Sequence, residues 1–564
     1  MGAVDVARVG RTPTTSLAAG QGNLARRERW LSAGIWFFVI LGILIRLVRY
    51  LVDYPIWHDE AFLTCSLWDR DYVNLLRPLD YGQVAPWLFL AIERTIVIAL
   101  GYSELTLRLF PTICSILSVL LFFQLARRLL SGQAQVLAVA VFATSYYLVR
   151  HGAEIKPYAT DMLASLILLM MAVEWLRDPA SSRWLWMMSG LAPILVAVSY
   201  PVVFVAGGIS LALVPSVIRS GRRAVRLGWM VFNLLLVAAF VSVYLSCAVF
   251  QAAAILENYR DGCWAESFPP LDRPWMLPIW LLQIHTGRMM AYPVGDKNGA
   301  SAVTFLCVLA GGVTLYRQGR KTPLAILLAP FGLGLFAAFL GRYPYGGAPR
   351  ITLYLAPAIC LLAGLGLAEL LSQISRPTLH WLVPLGVLVI LGMLGMGLIV
   401  RDIATPYRTH DDVRTREFAR WFWTEYARDG ELVCLKSDMK LSFRSKLWRV
   451  GMSAVYLFHQ RVYSNRVPHD RPVELDLARY SDDHPLRLVV FDHLPEDIPA
   501  FQQWLTAVTR GLELKQTRTY VIQPGKPGEE WLRDAYVVLE YVPQGADSRA
   551  LARGSRLPAA QGRF

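Results

Sequence analysis

Hydrophobic residues in this chain are gathered into long runs separated by short polar connections, the signature of helices that are apolar all round. Runs near the ~20 residues needed to cross a bilayer fall at about 31–52, 104–126, 133–150, 158–176, 183–199, 201–217, 228–252, 299–316, 322–340, 351–371 and 380–400. This pattern predicts an all-α polytopic membrane protein with about 11 transmembrane helices. The stretch from Trp184 to Leu213 is too long for one crossing and is read as two helices meeting at Tyr200-Pro201, where proline interrupts the helical hydrogen bonding. Pro86–Leu100 is short and carries Glu93 and Arg94 side by side at its centre. Charges at mid-bilayer are costly, so this segment is predicted to lie in the interface instead of crossing.

After Val400 the pattern changes. Residues 401–545 are charged, with strand-like runs at Leu486–Leu494 and Ala535–Val542 and a helix-like segment at Ile498–Val508. They are predicted to form a small α/β domain outside the membrane, followed by a disordered tail at 546–564. Residues 1–30 read as a cytoplasmic disordered tail, with Arg26, Arg27 and Arg29 anchoring an uncleaved first helix on the inside. With that orientation the inside connections hold 16 lysines and arginines, while the much longer outside connections (53–103, 151–157, 253–298 and 341–350) hold 10. The density follows the positive-inside rule. An odd number of crossings then puts residues 401–545 outside.

Composition supports the membrane reading: 55% of the 564 residues are hydrophobic and 17% are charged, against about a quarter charged in soluble domains. The net charge of +14 would suggest nucleic acid in a soluble protein. Here the arginines sit in short connections, where they set topology, and no nucleic-acid partner is expected. Of seven cysteines, Cys114, Cys247, Cys307 and Cys360 lie inside apolar runs and no two form a CxxC pair. Cys65 and Cys263 fall on the same predicted side, where a disulfide could form, but an odd count without a spacing pattern says little.

Three outside segments carry candidate chemistry. The first reads Trp57-His58-Asp59-Glu60-Ala61 directly after the first helix. Two adjacent carboxylates beside a histidine at the mouth of a helix bundle fit a general base or a metal ligand better than packing, although solvated loop acids between interfacial aromatics would look alike. The second reads His151-Gly152-Ala153-Glu154-Ile155-Lys156-Pro157-Tyr158 and continues to Asp161, with Lys156 suited to neutralise a phosphate and Glu154 to partner it. The third, Gly341–Arg350, is a glycine- and proline-rich turn ending in Arg350. Arg350, and Arg108 at the outer end of the second span, could hold an anion or simply snorkel to headgroups. Acids and cations converging on one face suggest chemistry on a lipid-linked anionic substrate.

The order of these pieces resembles the C-type membrane glycosyltransferases, in particular the bacterial relatives of protein O-mannosyltransferases and of lipid A aminoarabinose transferase. The likeness rests on Arg46 in the first helix, His58-Asp59-Glu60-Ala61, Gly82-Gln83-Val84-Ala85-Pro86, Ser103-Glu104 through Arg108-Leu109-Phe110-Pro111, Glu154-Ile155-Lys156-Pro157-Tyr158, and Tyr343-Pro344-Tyr345-Gly346-Gly347 through Arg350. It covers roughly residues 31–400. Two departures stand out: only Pro86 remains of the family's double proline, and Lys156 replaces an arginine.

The resemblance implies inverting transfer of a sugar from a polyprenyl-phosphate donor to a lipid, glycan or protein acceptor at the extracytoplasmic face, in what would be a bacterial inner membrane. Asp59 would be the base with Glu60 in support. Lys156, Arg108 and Arg350 would hold the donor phosphate, and His58, Glu154 and Tyr158 would contact substrate. No cofactor is certain. Some relatives use a divalent metal ion, for which His58, Asp59, Glu60 and Glu154 would be the donors. The rival readings are a lipid or glycan transporter or flippase, which needs ionisable groups along a mid-membrane path, and an O-antigen ligase or polymerase.

Overall fold

The computed structural model describes residues 14–253, 264–296, 299–376, 379–426 and, within 432–544, the segments 432–434, 454–456, 458–463, 485–491, 502–503, 505–507, 509–523 and 534–544. Cys263, most of Ile498–Val508 and the tail at 546–564 lie outside the described residues.

The helices in chain order are α1 (Thr14–Leu51), α2 (His58–Asp69), α3 (Trp87–Leu100), α4 (Glu104–Leu129), α5 (Gly132–Thr144), α6 (Tyr146–Arg150), α7 (Tyr158–Arg177), α8 (Arg183–Val198), α9 (Val202–Ser220) and α10 (Arg223–Val243). They continue with α11 (Leu277–Thr286), α12 (Ala300–Arg317), α13 (Lys321–Phe339), α14 (Ala356–Ser372), α15 (Leu379–Ala404) and α16 (His410–Trp421). Among the described residues nine helices are long and apolar enough to span a bilayer. A tenth forms if α5 and the segment Tyr146–Ala153, bent by 49°, count as one crossing. The eleventh predicted run is α8, with 16 residues. The break at Tyr200-Pro201 falls between α8 and α9 as the proline requires.

The centre of the bundle is α14, packed against α5 and α12. Small residues allow this approach: a Cβ on Gly366 would lie 1.8 Å from the Cys307 carbonyl oxygen, and one on Gly311 would lie 2.1 Å from that of Leu362. At the periphery α10 presents Met230, Leu234, Val237 and Val241 outward, a face suited to lipid. Arg46 is buried among α1, α4 and α5, and donates to Ser115 Oγ at 2.9 Å and to the carbonyls of Gly42 and Ala143 at 2.9 and 3.2 Å.

α3 has 14 residues, about 21 Å of helix, short of a bilayer core of about 30 Å. It packs on α4 and α8. Arg94 donates to the Leu67 carbonyl at 2.7 Å, whereas Glu93 is fully buried and neither carboxyl oxygen has a hydrogen-bond partner among the described residues. Burial pushes the Glu93 carboxyl well above the usual range. An acid whose affinity for its proton rises on folding stabilises the fold least at high pH. Glu93→Gln is therefore expected to gain in unfolding stability relative to the parent as pH rises from 5 to 8. A difference that does not change with pH would show that the carboxyl is not held protonated.

The C-terminal region adds a four-stranded sheet, β1 (Leu432–Cys434), β2 (Leu486–Phe491), β3 (Leu512–Gln523) and β4 (Asp534–Pro543), in the order β1-β2-β4-β3. β1 pairs parallel to β2, and the other neighbours are antiparallel. α16 packs on this sheet through Phe418, stacked on Tyr536 with ring centroids 4.5 Å apart. From α16, Arg416 donates to the Asp53 carbonyl at 2.6 Å and lies 3.6 Å from the Glu104 carboxylate. Glu104 in turn accepts from the Ile56 amide at 3.2 Å. Asp53 has a φ of +44°, which a non-glycine residue adopts at a cost. Through Arg416 the C-terminal region thus grips the strained loop between α1 and α2.

Candidate functional site

α2 begins at His58 and places Asp59 and Glu60 in its first turn, where carboxylates complement the helix dipole. Being adjacent, they point to different neighbours. Glu60 turns inward and forms a two-point pair with Arg108 of α4 (Nε–Oε1 3.1 Å, Nη2–Oε2 2.7 Å), with both side chains fully buried. Glu60 also accepts from the Ile155 amide at 3.0 Å, and Arg108 donates to the Tyr54 carbonyl and lies over the Tyr54 ring. This pair fastens the loop after α1 to the loop before α7.

Asp59 faces a cavity of about 240 Å³. Its carboxylate is bridged by two cations: Lys156 Nζ lies 3.1 Å from Oδ1, and Arg350 Nη1 lies 2.9 Å from Oδ2. Lys156 also donates to the Gln83 side-chain oxygen. Residues 97 and 291 positions away from Asp59 thus converge on it. Burial opposes ionisation of Asp59, but the charges of Lys156 and Arg350 outweigh it and hold the carboxyl well below the usual carboxylate range. Burial lowers Lys156, and Asp59 offsets only part of that. His58, packed against Trp57 and Phe62, is lowered by burial to about 4 despite Asp59, so its imidazole is neutral at physiological pH.

The predicted residues separate into three places. Asp59, Lys156, Tyr158 and Arg350 line the cavity. Arg108 and Glu60 lie beneath it, and neither reaches the open space: the expectation that Arg108 holds a donor phosphate meets a guanidinium already committed to Glu60. Glu154 lines a second cavity, accepting from His151 at 2.8 Å and facing Arg150 at 3.8 Å. His58, Asp59, Glu60 and Glu154 therefore do not converge as a ligand set, and among the described residues no three His, Cys, Asp or Glu side chains gather to hold a metal ion.

Several lining residues had no assigned role. Gln83 and Tyr343 belong to segments singled out by sequence, and so does Asp161, which lines the cavity with one buried oxygen, Oδ1, lacking a hydrogen-bond partner among the described residues. Tyr200, Trp264 and Phe268 lie in connections without a motif. The mixture of three cations (Lys156, Arg342 and Arg350), two carboxylates (Asp59 and Asp161) and several aromatic faces suits a ligand with a charged group and a polar ring.

No protein-family model and no curated protein matches the sequence. Among solved structures, ArnT from Cupriavidus metallidurans bound to undecaprenyl phosphate is similar with a TM-score of 0.51 at 13% identity, over 89% of this chain and 97% of that one. The apo state of that protein gives 0.49 at 13% identity, over 88% and 97% of the two chains. The Archaeoglobus fulgidus oligosaccharyltransferase in complex with Zn and sulfate gives 0.45 at 12% identity, over 84% and 69%. The fold of this chain is that of the C-type membrane glycosyltransferases.

Proposed function

We propose that the protein is a membrane glycosyltransferase that moves a sugar, with inversion, from a polyprenyl-phosphate donor to an acceptor at the extracytoplasmic face. The observation that carries this reading is Asp59 held between Lys156 and Arg350 at the wall of an aromatic-lined cavity. A similar fold in a protein bound to undecaprenyl phosphate supports the class of donor.

Without substrate, Asp59 is a weak base because two cations hold its charge. A donor phosphate entering the cavity competes for those cations, since phosphate offers them stronger charge-assisted bonds than a carboxylate does. A carboxylate deprived of its partners regains proton affinity. Asp59 then takes the proton of an acceptor hydroxyl as that oxygen attacks the anomeric carbon. The bond from that carbon to the phosphate oxygen breaks, its electron pair leaves with the polyprenyl phosphate, and Lys156 and Arg350 stabilise the growing charge. Glu60 and Arg108 hold the loop beneath and touch no reacting atom.

Binding of undecaprenyl phosphate to the purified protein tests the donor side. Lys156→Gln and Arg350→Gln are each expected to weaken it about tenfold or more, one charged hydrogen bond being worth about 1.5–3 kcal/mol. Equal binding by the parent and both variants would remove the cavity from donor recognition. The face is tested by fusing a reporter active only in the cytoplasm at residue 410, where it is expected to be silent.

A further inference from the structure

The cavity at Asp59 has a second polar end. Asp161 stands in the first turn of α7, where its amide donates to the Pro157 carbonyl at 2.8 Å. It lies about one helical turn along α7 from the loop that carries Lys156. Asp161 lines the cavity and is only 6% exposed. Ser199, just after α8, lies beside its carboxyl, yet Oδ1 has no hydrogen-bond partner among the described residues. Buried polar atoms are almost always partnered. An open carboxyl oxygen at a cavity wall therefore marks a place for a donor group of a ligand.

Two tyrosines of the same wall have their hydroxyls committed to the protein. Tyr200 donates to the Ala85 carbonyl at 3.1 Å, and Tyr343 donates to the Ile351 carbonyl at 2.9 Å. Charge then selects among ligand groups. Lys156, Arg342 and Arg350 share one space with Asp59 and Asp161, and a glycosyl phosphodiester brings a single negative charge. The set is balanced when the sugar itself is uncharged. An ammonium group on the sugar would enter a cavity already richer in cations, and a carboxylate would be set against Asp161. The preference holds whether Asp161 is ionised or protonated, since a carboxylic acid also pairs with a hydroxyl while offering an ammonium group no charge.

We propose that Asp161 selects the donor sugar by hydrogen bonding to its hydroxyl groups, so that the sugar is neutral and bears neither an amino nor a carboxyl group. The inference rests on the glycosyltransferase reading and deepens it by naming the class of sugar. With the phosphate on Lys156 and Arg350, the ring extends toward Asp161 and its apolar faces meet the aromatic wall. A site built to bond a hydroxyl rejects analogues that lack it, because its own buried polar atom is then left unpaired. Asp161 is thus a specificity-determining residue, separate from the proton transfer at Asp59.

The test measures binding to the full chain in nonionic detergent by native mass spectrometry. The probes are undecaprenyl phosphate alone and its glucosyl, mannosyl, galactosyl, arabinosyl, glucuronosyl and 4-amino-4-deoxyarabinosyl derivatives. Expected is at least one neutral glycolipid bound about tenfold or more tighter than undecaprenyl phosphate, the size of one hydrogen bond to a charged group. Neither charged sugar is expected to show such a gain. In Asp161→Leu, similar in size and without an acceptor, the ratio of neutral-glycolipid to undecaprenyl phosphate affinity is expected to fall to near one. Should Asp161→Leu bind no lipid at all, Asp161→Asn decides. Its ratio is expected to fall about threefold or more, since a bond to a neutral acceptor is roughly half as strong as one to a carboxylate. An unchanged ratio in the deciding variant would overturn the assignment. So would an amino sugar bound as tightly as the best neutral one, or no neutral sugar gaining over undecaprenyl phosphate, and these outcomes leave the donor reading standing. Undecaprenyl phosphate binding that ignores Lys156→Gln and Arg350→Gln would sink the donor reading, and the role of Asp161 with it.

Discussion

Asp59→Asn is expected to lower sugar transfer by ~10²–10⁴, the usual contribution of a positioned general base. The amide keeps the shape of the carboxylate and can still accept from one of the two cations, so the fold and the cavity persist. What it loses is the ability to take a proton. Among the described residues the Asp59 carboxylate is held from the cavity side, by Lys156 and Arg350, and is not part of the buried support under α2. The variant is therefore expected to reach parental levels in the membrane. Removing the negative charge also releases both cations, so undecaprenyl phosphate should bind at least as well as in the parent. That combination, tighter or equal donor binding with lost turnover, separates a base from a structural residue. Near-parental transfer by a well-expressed Asp59→Asn would remove Asp59 from the chemistry.

Arg108→Gln is expected to have the largest effect on stability. The Arg108–Glu60 pair is wholly excluded from solvent, and removing one partner of such a pair costs about 3–5 kcal/mol because the other is left charged and uncompensated. Glu60 retains only the Ile155 amide, and the Tyr54 carbonyl loses its donor. Arg108→Gln/Glu60→Gln removes both charges and should recover a large part of the loss, a non-additivity expected of groups in direct contact. Unfolding of the detergent-solubilised protein measures this. Losses that simply add would mean that the two side chains act independently.

The membrane part of the fold was legible because bilayer crossing demands length and apolarity together, and both are visible along a single run. The C-terminal sheet was half legible. Leu486–Phe491 and Asp534–Pro543 are interior strands with alternating or continuous apolar residues, whereas Leu512–Gln523 is an edge strand carrying Glu513, Lys515, Gln516 and Arg518, the polar dress by which edges avoid pairing with other chains. In the site, each motif residue could be placed on one side of the membrane but not paired. Whether Arg108 meets a ligand or Glu60 depends on which way adjacent side chains turn on α2, and one helical step of about 100° decides it. The arginines of the second cavity come from segments 352 residues apart between Arg49 and Arg401. No local spacing connects them.

The shortness of α8 has a mechanical consequence. Its 16 residues give about 24 Å of helix, some 6 Å less than a typical hydrocarbon core. At its C-terminal end α8 meets α3, whose Phe89 and Leu90 join Val198 in one apolar cluster, while Ile98 and Leu100 stay exposed. The contact between α3 and α8 forms a seam between a short crossing and the helix beside it. Hydrophobic mismatch costs fractions of a kcal/mol per Å, and in a thick bilayer that strain concentrates at the seam. The segment 83–86, which leads into α3 and carries the Gln83 partner of Lys156, is attached to it. A change of bilayer thickness is therefore expected to be felt at the cation pair beside Asp59 through Gln83.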